Sequence, residues 1–286
     1  MLGRAKIEAT EACPLCGADG SPMFEVAGHM YWRCAGCTLV FASGHANANF
    51  RESIEDYEPA YRRYLEDDFV DASNLDDLIE WIESHVSLRS PEIRLLDVGS
   101  GTGKLIRRLS QVRLCTLSGI EPSVGLFKAY DLASHGIEGI TLRELAARNA
   151  LAYDVVTVLD VIEHAPDAAD FVHALARVTK PGSFVFLTTP NVGGPLARLL
   201  GRHWHHYNAY HFSLYGTQAI AEAARRNGFR VVSAAYRSKR ISLNYLLNRA
   251  MDRQLRGRRE YGNRLLSRRA IPFNFGDVLA VVWQRT

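Results

Sequence analysis

From Ile93 to the end of the chain, six apolar runs follow one another: IRLLDVG, LCTLSGIE, YDVVTVLDV, SFVFLTTP, FRVVSAAY and DVLAVVWQ. Helical segments separate most of them. An alternation of strand and helix is satisfied by a doubly wound, mostly parallel sheet with helices on both faces, the α/β class. With 286 residues, 47% of them hydrophobic, the chain can bury one large core and carry a small accessory module as well.

The first run passes into LLDVGSGTGKL, where Asp97, Gly99, Gly101 and Gly103 make a D-x-G-x-G-x-G pattern at the junction of strand and helix. Glycines at a strand's carboxyl end let a ligand come close to backbone amides, and ligands in such sheets bind at that edge. About twenty residues later Glu121 closes the second run in SGIEPS, where a carboxylate can accept both hydroxyls of a ribose. Together the loop and the acidic residue point to a nucleoside ligand.

Near the start, Cys13 and Cys16 in CPLCG and Cys34 and Cys37 in CAGCT form two CxxC knuckles with the spacing of a four-cysteine zinc ribbon. Two redox pairs or two disulfides are the alternative, disfavoured where thiols stay reduced. Cys115, inside the run RLCTLSGI, reads as a buried small hydrophobe. The opening MLGRAKIEATEACPLC has no apolar core of secretory type, and no eighteen-residue apolar run follows, so a cytoplasmic protein is expected. A net charge of +3 does not by itself call for nucleic acid or membrane.

The expected organisation is a ribbon over 1–45, a helical linker or lid over 46–90, and the α/β domain over 91–286. In the linker, Tyr57, Tyr61 and Tyr64 share one helical face, read as core packing in preference to a substrate surface. Ser73 is expected to cap a helix whose Leu75, Leu78, Ile79 and Ile82 lie against the sheet. The ribbon is expected to be peripheral to that sheet.

DVGSGTG, GIEPS, YDVVTVLDVIEHAPD, VTKPGSFVFLTTPN and the later tryptophan-to-HF segment, in this order, resemble a class I S-adenosylmethionine-dependent methyltransferase. The resemblance covers roughly 93 to 286. It implies a Rossmann-like sheet of seven strands and places Asp97, Gly99, Gly101 and Gly103 around the methionine part of the cofactor, Glu121 on the ribose, Glu144 near the adenine and Asp160 beside the methyl-bearing end. Within that family it is similar to the branch that acts on small molecules, sugars and lipid-linked precursors, several of whose members carry an N-terminal cysteine-rich zinc module. Asp154 reads as a structural strand start. Glu163 and His164 serve either as a helix cap or, for His164, in catalysis.

HWHHYNAYH, from His203 to His211, holds four of the chain's ten histidines. The resemblance matches Trp204, His211 and Tyr215 to a substrate loop, with His211 as base or orienting group and His205, His206, Tyr207 and Tyr210 lining the pocket; His206 and His164 are further catalytic candidates. Loss of activity in acid is then expected near ~6.5, an ordinary imidazole value. A metal in this loop is disfavoured, because no carboxylate or cysteine accompanies it and extended backbone would splay the rings of His205 and His206. His203 reads as ordinary loop surface.

Between the last two runs, Arg237 to Arg269 contains eleven Lys or Arg against Asp252 and Glu260. This insertion, 237–272, leaves open an anionic membrane surface, a phosphate-bearing substrate or RNA, against a solvated helical pair. The expected activity is methyl transfer to a small or carbohydrate-like acceptor, either free or carried on a nucleotide or a lipid phosphate. The alternative is an RNA-binding protein or RNA methyltransferase, although between Cys16 and Cys34 only Arg33 is basic.

Overall fold

The computed structural model describes residues 10–43, 68–148, 152–243 and 270–286. The tyrosines at 57, 61 and 64 and most of the basic insertion lie outside these residues.

Seven strands form the central sheet: β5 (Arg94–Val98), β6 (Thr116–Ile120), β7 (Ile137–Glu138), β8 (Tyr153–Leu159), β9 (Thr179–Pro190), β11 (Phe229–Tyr236) and β14 (Val278–Arg285), in the order β11-β14-β9-β8-β5-β6-β7. The five strands from β9 to β7 pair in parallel, while β14 runs antiparallel to both β9 and β11; between β11 and β14 in sequence, a separate antiparallel pair joins β12 (Lys239–Ser242) to β13 (Ala270–Phe273). The sheet is therefore the mostly parallel one expected, with the two-residue β7 as the strand that the six apolar runs did not reveal. Val155, Val156, Val158, Val185, Phe186 and Leu187 are inaccessible to solvent, as strands buried on both faces require.

Helix α1 (Asp68–Glu83) buries Leu78, Ile79 and Ile82 in the same cluster as Leu95, Leu105 and Phe186, so the apolar stripe meets the sheet as expected. Ser73, expected as its cap, stands inside the helix, which has begun by Asp68. Asp76 is drawn to Arg108, whose Nε and Nη2 donate to the two carboxylate oxygens at 2.8 and 3.1 Å. Cys115 is buried as expected. Asp154 accepts from Arg94 N and from Lys180 Nζ at the amino edge of the sheet, a structural role.

The N-terminal module is not peripheral. Its strands β1 (Glu11–Ala12), β2 (Asp19–Val26), β3 (His29–Cys34) and β4 (Val40–Ala42) are continued by β10 (Ser213–Leu214), in the order β1-β2-β3-β4-β10. Ser213 pairs with Phe41 and Leu214 with Val40. Cys13, Cys34, Cys37, Leu39 and Phe41 share one buried cluster with Val158, Leu187 and Tyr215. A module this small buries too little apolar surface alone, and its apolar side is completed by the larger domain. No helix among the described residues is long and apolar enough to cross a membrane.

Candidate functional site

Parallel strands deliver their carboxyl ends to one edge, and there the sequence-selected residues collect. Gly99, Gly101 and Gly103 have φ of +69°, +55° and +73°, the left-handed region that glycine enters without steric cost. A Cβ on Gly99 would stand 2.6 Å from a methyl carbon of Val161. The loop therefore needs glycine for both its backbone and its packing.

Glu121 is 5% exposed. Its Oε2 accepts from Gly101 N at 2.8 Å and its Oε1 from Ser123 N at 2.9 Å. Each oxygen keeps a further lone pair, so the carboxylate ties the loop down and can still accept hydroxyl donors. Burial pushes this carboxyl up to about 7. Asp97 beneath it accepts from Thr157 Oγ1 at 2.7 Å and is pushed up to about 6, again by burial. Glu144 is exposed on helix α4 (Leu142–Arg148), which follows α2 (Lys104–Val112) and α3 (Val124–Ala129); its Oε2 accepts from Thr141 N and Oγ1 as part of a capping box.

Asp160 directly follows β8 with φ +54°, strained backbone of the kind that persists when the surroundings enforce it. Its N donates to Thr188 O at 2.9 Å, and its Oδ1 accepts from Thr188 Oγ1 at 2.9 Å. In the following turn, Glu163 is 1% exposed and accepts from Thr189 Oγ1 at 2.9 Å. His164 Nδ1 lies 2.8 Å from Tyr210 O.

His211 is 7% exposed, its Nδ1 2.8 Å from His206 O. A carbonyl only accepts, and at His211 it lies closer to Nδ1 than the amide Asn208 Nδ2 at 3.3 Å, so Nδ1 is assigned the proton in both rings and the lone pair is left on Nε2. The two rings meet edge to face at 4.8 Å. Burial, then the neighbouring imidazoles, holds His211 well below the ordinary histidine value, and burial lowers His164 as well. One ligand atom each from Glu163, His164 and His211 falls within 4.8 Å of the others. Asn208 shapes the loop by accepting at Oδ1 from the amides of Tyr210 and His211.

The rest of the histidine stretch divides. His203 is exposed, as expected. Tyr207 does not line the pocket; it packs edge-on to Phe24 and Tyr31 of the N-terminal module, with ring centroids 4.9 Å away in each case. Tyr215 is fully buried in the core. His205 and His206 do not splay, because the backbone turns there and brings their ring centroids to 4.0 Å. Nor is the stretch without carboxylates, since Glu163 and Asp277 reach it through the fold. Neither could be found from local sequence: Glu163 reads equally as a helix cap, and Asp277 is the first residue of the run DVLAVVWQ.

At the other end of the chain the four cysteine sulfurs lie within 4.8 Å of one another. Cys13 and Cys37 are 3.6 Å apart, Cys16 and Cys34 3.3 Å, and all are free thiols. These separations exceed a disulfide's S–S bond of about 2.05 Å. They approach the roughly 3.8 Å edge of a sulfur tetrahedron with a 2.3 Å metal–sulfur bond.

A family model described as a methyltransferase domain matches residues 62–234. Among curated proteins, ubiquinone biosynthesis O-methyltransferase from Burkholderia multivorans is 34% identical over 150 residues, 50% of this chain and 58% of that protein. The protein of the same name from Burkholderia thailandensis is 36% identical over 119 residues, 40% of this chain and 50% of that one. The chain thus spans about half the length of these relatives. Solved structures of S-adenosylmethionine-dependent methyltransferases from Archaeoglobus fulgidus and Thermotoga maritima, both 15% identical, have TM-scores of 0.54 and 0.53; they cover 79% and 83% of this chain and 100% of their own. They share the fold. With the family model spanning more than half of the sequence and the glycine loop built as described, the chain belongs to the methyltransferase domain family and carries a class I S-adenosylmethionine-dependent methyltransferase domain.

Proposed function

We propose that this chain transfers a methyl group from S-adenosylmethionine to a hydroxyl of a small acceptor. The observation that carries the proposal is the continuity of the glycine loop with the imidazole pair. Gly99 packs on Val161, the turn beginning there carries His164, and the ring of His164 meets that of His211. The residues fit the cofactor: Glu121 suits the ribose, Gly99, Gly101, Gly103 and Asp97 the methionine part, Asp160 the methyl-bearing end, and Glu144, beyond its capping role, the adenine side. When bound, S-adenosylmethionine supplies an electrophilic methyl on a good leaving group. The chain's own task is then alignment and proton removal. His211 Nε2 accepts the hydroxyl proton, Nδ1 stays donated to His206 O, and His164 buttresses the ring.

The names of the curated relatives support oxygen as the acceptor atom and a small molecule as the acceptor class. A carbohydrate-like or phosphate-bearing acceptor would draw on the insertion 237–272, most of which lies outside the described residues. We also assign one structural zinc ion to Cys13, Cys16, Cys34 and Cys37. Screening hydroxylated acceptors for cofactor-dependent gain of one methylene in mass tests the reading. Methylation confined to amine or carbon acceptors overturns it.

A further inference from the structure

We infer that His205, His206 and Asp277 form a second metal site, for a divalent transition ion of borderline softness such as zinc or cobalt. The Nε2 atoms of the two histidines lie 3.7 and 3.5 Å from the same oxygen, Asp277 Oδ2. Those separations are longer than the 2.7–3.2 Å of an ordinary N–H···O bond. Two ligands about 2.0–2.2 Å from one tetrahedral ion stand roughly 3.3–3.6 Å apart, and the two nitrogen–oxygen separations fall at the upper end of that span or just beyond it. All three lie within 4.8 Å of one another.

The surroundings are arranged for this. Trp204 Nε1 donates to Asp277 Oδ1 at 2.7 Å, which fixes the carboxylate with Oδ2 toward the imidazoles. A carboxylate oriented by an outer hydrogen bond is a recurrent feature of metal sites. The backbone of Asp277 is held by Asn191, whose N donates to its carbonyl at 2.9 Å. The turn at His205 and His206 brings their rings together. Side-chain exposures of 37%, 21% and 14% for His205, His206 and Asp277 put the site at a rim, with a path for an ion to enter. Two imidazoles and one carboxylate suit zinc, iron or cobalt better than calcium or magnesium. Three protein ligands leave a position open to an oxygen ligand.

The site is distinct from the buried group of Glu163, His164 and His211, although His206 stacks on His211 at 5.4 Å. Metal binding is read directly, so the inference does not depend on the methyl-transfer reading. The test uses the full chain, its cysteines first filled with one equivalent of Zn²⁺ and then titrated with Co²⁺, which binds such donors more weakly than zinc and leaves the thiolates occupied. One further equivalent is expected, with visible absorption typical of nitrogen and oxygen donors and without thiolate-to-cobalt charge transfer. His205→Ala and Asp277→Asn should each weaken it at least about 100-fold, the upper end of what losing an outer partner alone costs. Glu163→Gln should retain it. No further equivalent in the wild type overturns the inference, as does unchanged affinity in His205→Ala or Asp277→Asn, or loss confined to Glu163→Gln. Circular dichroism checks the variants, and since His205 is more than one third exposed, His205→Ala decides the matter if Asp277→Asn does not fold.

Discussion

Tyr31, in the N-terminal module, reaches His211 of the histidine loop: its hydroxyl lies 3.2 Å from His211 O and donates at 2.8 Å to Asn208 O. The tyrosine is fully buried, and Ala42 N donates to Phe212 O alongside it. The module therefore braces the loop that carries the proposed base. Tyr31→Phe removes a hydrogen bond of about 1 kcal/mol and leaves the carbonyls of the loop without it. Turnover should fall several-fold while S-adenosylmethionine affinity, measured by calorimetry, stays within about twofold, because no part of the glycine loop is touched. Equal losses in both would mean that the module supports the whole domain and not the loop.

His211→Ala should lower turnover by about 10² to 10⁴-fold, the range typical of a positioned base, with cofactor affinity nearly intact. The pH profile carries a sharper expectation. Because His211 is held well below the ordinary histidine value by burial, its neutral form persists into acid, and the acid limb of kcat should lie below ~6.5, not at it. The same shift acts on stability: a histidine kept neutral in the fold and free to charge when unfolded makes the native state lose stability as pH falls below ~6.5. Urea unfolding of wild type and His211→Gln between pH 7 and 5 checks this, the wild type showing the steeper loss. An acid limb near 6.5 would remove the buried-base assignment.

Glu121 is shifted in the opposite direction, yet its pH dependence has the same sign. Its carboxyl is pushed up to about 7 in the free protein, whereas ribose hydroxyls bind best to the charged form. S-adenosylmethionine affinity should therefore rise with pH through about 7, with release of a proton that calorimetry in buffers of different ionisation enthalpy can count. Glu121→Gln should flatten the dependence, and Glu121→Ala should cost roughly 1.5–3 kcal/mol of binding. Gly101→Val should abolish binding, since a β-branched residue at φ +55° is strained.

Purified protein should contain one tightly held zinc ion at the four cysteines, lost in Cys34→Ser. Gly36 N and Cys37 N both point at Cys34 Sγ at 3.3 Å, so this sulfur is seated by backbone amides as a metal-bound thiolate is. Because the module shares β10 with the larger domain, Cys34→Ser should lower turnover and not merely fray the N-terminus. Metal analysis alongside kcat tests both statements, and full activity in a zinc-free Cys34→Ser protein would detach the ribbon from function.

What was legible in the sequence is what local chemistry dictates. The apolar runs specify strands buried on both faces, left-handed glycines specify the loop after β5, and paired knuckles specify where four sulfurs converge. Glu121 follows as readily, because it lies at the end of the strand beside the loop. What only the tertiary structure decided is which distant groups face the histidine loop. β14 enters the sheet antiparallel, with Val278 opposite Pro190, so its first turn, and with it Asp277, arrives at the carboxyl edge where β8 and β9 end. In a wholly parallel sheet the start of that strand would lie at the far edge. The same holds for the ribbon: its spacing foretold a compact module, but β10 was too short to read, and two residues of edge pairing set the module against the base. Local patterns fix what each segment can be, whereas strand direction and edge pairing bring distant residues into hydrogen-bonding range.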